Sequence, residues 1–436
     1  MSRRSYQAAI ERLFSLQSRG IRMGVQRMKD ALAYREQPDA DLPLIHVAGT
    51  NGKGSVSTMI AKCLSSAGYR TGLFTSPHLH RWVERIRVDG RPLSEREAAR
   101  RIHEVLSAFA QPGAPESTFF ELTTLLALET FRDRACDIAV MEVGLGGRLD
   151  ATNATTPELA LITRIARDHT RFLGNTLPEI AREKAGILKP GVPVVVGSRE
   201  PSALRVIRAR ARSLGAPVRV LGRDFHVLQP AEGRTFKRFG VEVPTGVFPD
   251  LTIKLEGAHQ QRNAACAVAA LAWLKELGVL DADAGIRPGL AAARWAGRLE
   301  TVARHPRVIM DAAHNEDGCA ALVAHLAGVR AGRDGGRRVL VFGCMRDKDV
   351  APMLRRLHPH FDRVLYCPPQ LSRAAPASTL QRIAPGQAVA EPATALARAR
   401  RLAGSDGLVV VAGSIFLVAA LRAAALKVRS DPLIRM

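Results

Sequence analysis

The chain has 436 residues, 47% of them hydrophobic, and a mean hydropathy of -0.02, which supplies enough apolar material for two or three cores and is too polar for a membrane-embedded protein. A formal charge of +22 would suit a polyanion binder, but the arginines are scattered through almost every predicted helix and aromatic residues make up only 5%, leaving few stacking platforms. The charge is read as a solvated surface that also attracts anionic small substrates, with no specific nucleic-acid partner.

The N-terminal MSRRSYQAAIERLF has basic residues but no apolar stretch of signal-peptide length, so a cytoplasmic protein is expected; the spacing of Ile10, Leu13 and Phe14 predicts an amphipathic helix. Strand-like LPLIHVAG is followed by helix-like SVSTMIAKCLSSAG, strand-like RTGLFTS, a helix over Ser94 to Phe109, and the apolar runs DIAVMEVG, LALITRI and VPVVVG. That alternation predicts a mostly parallel sheet flanked by helices. Ser94 and Glu97 read as a capping box for the helix bearing Ile102, Val105, Leu106 and Phe109. Between about Val218 and Leu255, the short β-type pieces RDFHVLQ, TFKRFGVEV and DLTIKL predict a small antiparallel insert, after which GAHQQRNAACAVAALAWLKELG returns to helix. The segment Asp281 to Gly297, with Pro288 and Gly289, reads as the boundary region. A second α/β series starts near Leu299 with RVIMDAAHN, RRVLVFGC, DRVLYCPP and GLVVVAGS, and the stretch Gly332 to Arg338 reads as an exposed loop. The uncharged run Leu408 to Leu421 is shorter than a membrane span and is punctuated by Gly413 and Ser414, so a buried strand followed by a packed helix is expected. Six cysteines lie far apart with no CxxC pair, which predicts reduced core thiols rather than a zinc site or disulfides. The expected fold is α/β: a P-loop-type domain (residues 1–296) with a mostly parallel sheet and a small antiparallel insert, and a smaller Rossmann-like domain (residues 297–436).

The strongest chemical signal is Gly49-Thr50-Asn51-Gly52-Lys53-Gly54-Ser55, between the strand LIHVA and a helix. Glycines let the backbone fold around phosphate oxygens, N–H groups at the helix start face the anion, and Lys53 adds a compact positive charge. Gly54 separates Lys53 from Ser55, unlike the GxxxxGK[ST] pattern, which argues against a GTPase or simple kinase. Glu142 ends the strand DIAVME, where open α/β sheets place ligand sites.

GTNGKGS resembles the phosphate loop of the Mur-ligase superfamily, and specifically its folate branch, the folylpolyglutamate synthases and dihydrofolate synthases. The resemblance runs in order through TSPHL (Thr75–Leu79), ERIRVDG (Glu84–Gly90), TFFELTT (Thr118–Thr124), EVGLGGRLDATN (Glu142–Asn153), DHTRFLG (Asp168–Gly174), REKAGI (Arg182–Ile187), HQQRNA (His259–Ala264), GRLE (Gly297–Glu300), DAAHN (Asp311–Asn315) and DKD (Asp347–Asp349). It implies ATP-dependent joining of L-glutamate to dihydropteroate, to a folate, or to both, through an acyl phosphate. By the same resemblance, Gly52, Lys53, Gly54, Ser55, Asn263, Arg298 and Asp311 contact ATP, and Ser76, Glu142 and His169 bind Mg²⁺, expected as two ions. Lys184 matches the lysine that the family carries as a carbamate, and His314 orients nucleotide, glutamate or the acyl phosphate. Met23, Gly24 and Val25, with Thr118, Phe119, Phe120, Glu121, Leu149, Asp150 and Ala151, correspond to pterin contacts; the two phenylalanines read equally well as a stacking surface or as core. A monomer acting on small molecules is expected.

The sequence departs from the family pattern at Arg164 and Ala166, before the Asp168-His169 motif, and at Ala312, Glu316 and Ala412 in the second domain. A peptidoglycan-precursor ligase is the nearest enzyme rival, but roughly 43 residues before the phosphate-loop strand leave no room for a UDP-sugar domain of ordinary size. A basic nucleic-acid-binding P-loop ATPase explains the charge but not the TSPHL, DHTRFLG and DAAHN motifs.

Overall fold

The computed structural model describes residues 3–19, 22–229, 238–329 and 336–432. The loop expected at Gly332 to Arg338 lies mainly outside them. The first sheet contains β1 (Leu44–Ala48), β2 (Thr71–Phe74), β3 (Ile86–Val88), β4 (Arg91–Pro92), β5 (Ile138–Glu142), β6 (Leu159–Ile162), β7 (Val194–Val196) and β8 (Val218–Val220). Their order is β4-β3-β2-β5-β1-β6-β7-β8. Pairing is parallel from β2 to β8, with β3 and β4 antiparallel at one edge. Every residue of β1, β5, β6 and β7 is buried, as a parallel sheet covered by helices on both faces requires.

The expected insert consists of β9 (His226–Leu228), β10 (Arg238–Val243) and β11 (Gly246–Thr252), an antiparallel sheet. It begins later than the sequence suggested, because Val218–Val220 joins β7 in parallel and completes the main sheet. The helix His259–Glu276 runs under the insert, and its alanine-rich surface is buried along nearly the whole length.

The second sheet contains β12 (Glu300–Arg304), β13 (Arg307–Met310), β14 (Arg338–Phe342), β15 (Arg363–Tyr366), β16 (Gln387–Ala388) and β17 (Leu408–Ala412). Its order is β12-β13-β17-β14-β15-β16, parallel except for β12 against β13. The uncharged C-terminal run is β17 followed by the helix Ile415–Leu426, and no helix among the described residues is long and apolar enough to cross a membrane.

Two local expectations are corrected. Most of the boundary segment is not linker: Asp283–Ala292 is a helix packed on Lys53–Ser66 of the first domain, with Pro288 inside it. The approach is so close that a Cβ on Gly285 would lie 2.1 Å from the Cys63 carbonyl oxygen. Likewise, Ser94 caps the helix Glu95–Ala108 by accepting the Glu97 N–H at 3.2 Å, but the reciprocal half of the box is missing. The Glu97 carboxylate pairs with Arg101 and Arg134 instead, because two guanidinium groups are stronger partners than one backbone N–H.

Candidate active site

The phosphate loop leaves β1 and enters the helix Lys53–Ser66 through two glycines with positive φ, +146° at Gly49 and +96° at Gly52. Any side chain at Gly49 is excluded sterically as well, since its Cβ would stand 1.7 Å from Thr163 Oγ1. The segment after β6 holds the loop: Thr50 N–H donates to the Arg164 carbonyl at 2.8 Å, and Thr50 Oγ1 bonds both backbone groups of Ala166. Lys53 Nζ donates to the carbonyls of Gly49 and Thr50 at 3.2 and 3.4 Å. Burial lowers its pKa, while Glu142 and Asp168 pull the other way.

Glu142, at the carboxyl end of β5, is buried and accepts the Ser76 N–H at 3.1 Å. Burial pushes its pKa up to about 7 against the attraction of Lys53, the Ser76 N–H, Arg298 and Arg85. The Ser76 Oγ is buried and has no hydrogen-bond partner, and an orphaned hydroxyl beside a carboxylate fits a hard cation with oxygen ligands. No group of three or more His, Cys, Asp and Glu side chains poised for a metal occurs among the described residues. Lys184, 4% exposed, donates to the Gly49 carbonyl at 2.8 Å. Burial and the neighbouring Lys53 charge bring its pKa down to about 7. His169, with φ +49°, is kept neutral by burial, its pKa falling to about 4. Its Nε2 lies 3.4 Å from Lys348 Nζ.

Asp168 joins the two domains. It accepts hydrogen bonds from Asn315 Nδ2 at 3.0 Å and from Lys348, and its Oδ2 lies 3.1 Å from His314 Nε2. Burial alone would raise its pKa, but His314, Lys348 and His169 hold it well below the usual carboxylate range. Asn51 of the phosphate loop exchanges amide hydrogen bonds with Asn315 at 3.0 and 3.1 Å and donates to Asp317 at 2.9 Å.

The departures find their places around this seam. Arg164 pairs with Asp317 at 2.6 Å while its carbonyl supports the phosphate loop. Ala166 acts through its backbone, so a change of side chain leaves the Thr50 contacts intact. Glu316 opens the helix Glu316–Leu326, where its charge suits the N-terminus, and pairs with Arg356. Ala312 offers its carbonyl to His314 Nδ1 at 2.8 Å and Arg298 Nη1 at 3.5 Å. Ala412 is buried in the second core, and the neighbouring Ser414 supplies a hydroxyl that caps the next helix.

A continuous cavity of about 490 Å³ runs from the phosphate loop to an aromatic wall and across to the second domain. Gly52, Lys53, Gly54, Ser76, Glu142, His169, Lys184, Arg298 and His314 line it, as do Met23, Gly24, Thr118, Phe119, Phe120, Glu121, Leu149, Asp150 and Ala151. Thr118 and Glu121 form the capping box of the helix Phe119–Asp133, which aims Phe120 over Gly144; a Cβ at Gly144 would stand 2.4 Å from that ring.

Four expected residues are not on the wall. Val25 precedes the helix Gln26–Tyr34, and Ser55 is buried under the loop facing Gln260. Asn263 holds Gln260 behind Gly52. The Asp311 carboxylate accepts the N–H groups of Leu299 and Ala313, each at 2.8 Å, and so shapes the turns that carry Arg298 and His314. Arg85, Lys348 and Arg373, for which the sequence motifs imply no role, also line the cavity. Arg85 and Lys348 sat inside quoted motifs, whereas Arg373 had no signal.

Residues 47–271 match the Mur ligase middle domain and residues 297–415 the Mur ligase, glutamate ligase domain. The Bacillus subtilis dihydrofolate synthase/folylpolyglutamate synthase is 34% identical over 412 residues, 92% of this chain and 95% of the relative. The Escherichia coli FolC structure with DHPP and ADP aligns with a TM-score of 0.85 at 33% identity, covering 94% of this chain and 96% of that one. A bifunctional folylpolyglutamate synthase/dihydrofolate synthase with Mn, AMPPNP and L-glutamate bound aligns with a TM-score of 0.86 at 32% identity, covering 96% and 98%.

Proposed function

From the premise that the chain belongs to the dihydrofolate synthase/folylpolyglutamate synthase family of Mur ligases, we infer how its cleft joins glutamate to a folate-type carboxylate. The protein is an ATP-dependent carbon–nitrogen ligase that uses a divalent metal. A carboxylate is a poor electrophile, so one of its oxygens attacks the γ-phosphorus of ATP, the bond to the bridging oxygen breaks, and ADP leaves with the electron pair. The glutamate amine then attacks the acyl carbon, and phosphate departs as the amide forms.

The observation that carries this reading is the single cavity joining the phosphate loop, the aromatic wall and the cations of the second domain. Lys53 and the loop N–H groups hold the phosphates. Ser76 and Glu142, with Lys184 as its carbamate and His169 turned from Lys348, would hold Mg²⁺, which neutralises charge on the transferring phosphoryl group. The pterin lies against Phe119 and Phe120. Arg298 and His314 approach from the second domain, and closure keeps water from the acyl phosphate. Both dihydropteroate and tetrahydrofolate serve as donors in this reading. A cytoplasmic monomer without nucleic-acid partners accompanies it, in keeping with the six free buried thiols.

The test is ADP release with Mg-ATP and glutamate, comparing dihydropteroate, tetrahydrofolate and no acceptor, with Lys53→Ala as control. Glutamate-dependent release with both is expected. Release with one alone makes the enzyme monofunctional, and release with neither overturns the reading.

A further inference from the structure

The motif Glu84–Gly90 lies outside the phosphate, metal and pterin contacts that the resemblance implies, yet it puts a charged side chain on the cavity wall. Arg85 is 4% exposed and lines the cavity together with Glu142 and Lys53. Its Nε donates to His78 Nδ1 at 2.9 Å, and its guanidinium lies 5.3 Å from the centre of the Phe119 ring. No carboxylate among the described residues lies within ion-pair distance of it. Arg101, equally buried, shows the ordinary arrangement: it holds both Glu97 and Asp133. A buried cation with no carboxylate in contact is costly even with the more distant charges of Glu142 and Glu84 acting on it, and its place on the cavity wall suits an anion that arrives later.

The surroundings orient Arg85, and Glu142 and Glu84 attract its charge from beyond ion-pair contact. The Glu84 carboxylate accepts the N–H groups of Leu79, His80 and Arg81 at 2.9, 3.1 and 3.0 Å, which fixes the turn carrying His78. His78 lies flat on Phe14, and Phe14 meets Phe119 edge-on. Burial drives the His78 pKa well below its usual value, so the ring is a neutral acceptor at Nδ1. Arg85 itself stays charged, since burial brings it only to about 10.

We infer that Arg85 is the anchor for the carboxylate of the acyl donor, gripping it between the Phe119 wall and the phosphate loop while one oxygen is left to face the γ-phosphoryl group. The inference rests on the ligase reading above. A planar guanidinium fork matches a carboxylate and fixes its direction as well as its charge, and a neutral histidine partner leaves that fork available.

The experiment compares binding of dihydropteroate and its descarboxy analogue by calorimetry, in EDTA so that no metal holds the carboxylate. Wild type is expected to prefer the carboxylate by about 10- to 100-fold. Arg85→Gln should lose most of that preference while binding the descarboxy analogue as wild type does. His78→Glu, which keeps Arg85 but gives it a carboxylate of its own, should lose it too, so that either variant suffices if the other fails to fold. In turnover, Arg85→Gln should raise KM for the donor and leave KM for ATP within about twofold. Full preference in a folded variant overturns the anchor. Failure of wild type to bind dihydropteroate overturns the ligase reading itself, a separate outcome.

Discussion

Lys53 and Lys184 point their amines at one acceptor, the carbonyl of Gly49, at 3.2 and 2.8 Å. Two cations on one oxygen repel each other; Lys184 is buried and Lys53 half-buried. For Lys184, burial and the Lys53 charge bring the pKa down to about 7. A neutral amine can attack carbon dioxide and lose a proton, which turns a cation into an anionic oxygen ligand.

Lys184→Ala is therefore expected to lower turnover by about 10- to 100-fold, with partial recovery on adding a short carboxylate such as acetate. Wild type in ¹³C-bicarbonate should give a carbamate carbon resonance that the variant lacks. Absence of both the resonance and the recovery would mean that Lys184 works as a cation.

Ser76→Ala separates metal binding from folding. Because the hydroxyl is buried and unpartnered, its removal in EDTA should leave stability unchanged or raise it by about 1 kcal/mol. The Mg²⁺ concentration giving half-maximal activity should rise by about 10- to 100-fold. An unchanged metal requirement would remove Ser76 from the cation site.

The Arg164–Asp317 pair spans the domains with Arg164 42% exposed, so its worth is discounted for solvent. A double-mutant cycle of Arg164→Ala and Asp317→Ala, measured by chemical unfolding, should give a coupling of about 0.5–1 kcal/mol. Strict additivity would show that the pair contributes nothing to stability.

His46, fully buried in β1 with Nε2 2.8 Å from Thr152 Oγ1, predicts acid sensitivity. Burial, helped by Lys189, lowers its pKa from 6.5 to about 3. Between those values the unfolded chain takes a proton that the folded chain refuses. Its contribution is thus fully present above pH 6.5 and is lost as pH falls toward 3, at up to about 1.4 kcal/mol per pH unit. His46→Gln should flatten the pH dependence of unfolding in that window by about one proton; an unchanged slope would assign the sensitivity elsewhere.

The sheets and the phosphate loop were legible because each depends on neighbours in sequence: buried parallel strands read as apolar runs, and the glycines of the loop adjoin the strand they follow. The seam was not. Asn51 meets Asn315, and Asp168 meets Lys348, only when two separately folded sheets approach, and nothing local in sequence records such a meeting. Asp311 illustrates the intermediate case. Its motif was visible, but whether its carboxylate faces a ligand or the backbone of Leu299 and Ala313 depends on the turn. Val218–Val220 belongs to the main sheet rather than the insert for a similar reason, since three residues of alternating character fit an insert edge or a sheet edge until a partner strand decides.

The six free cysteines divide evenly: Cys63, Cys136 and Cys266 in the first domain, Cys319, Cys344 and Cys367 in the second, all buried. Burial raises each thiol above its usual value, so the folded chain offers alkylating reagents almost no thiolate. That silence makes the native protein its own conformational reporter. Which peptide becomes labelled first, and in what order the others follow, records which half of the molecule opens and whether nucleotide holds it shut, without a dye or an introduced probe.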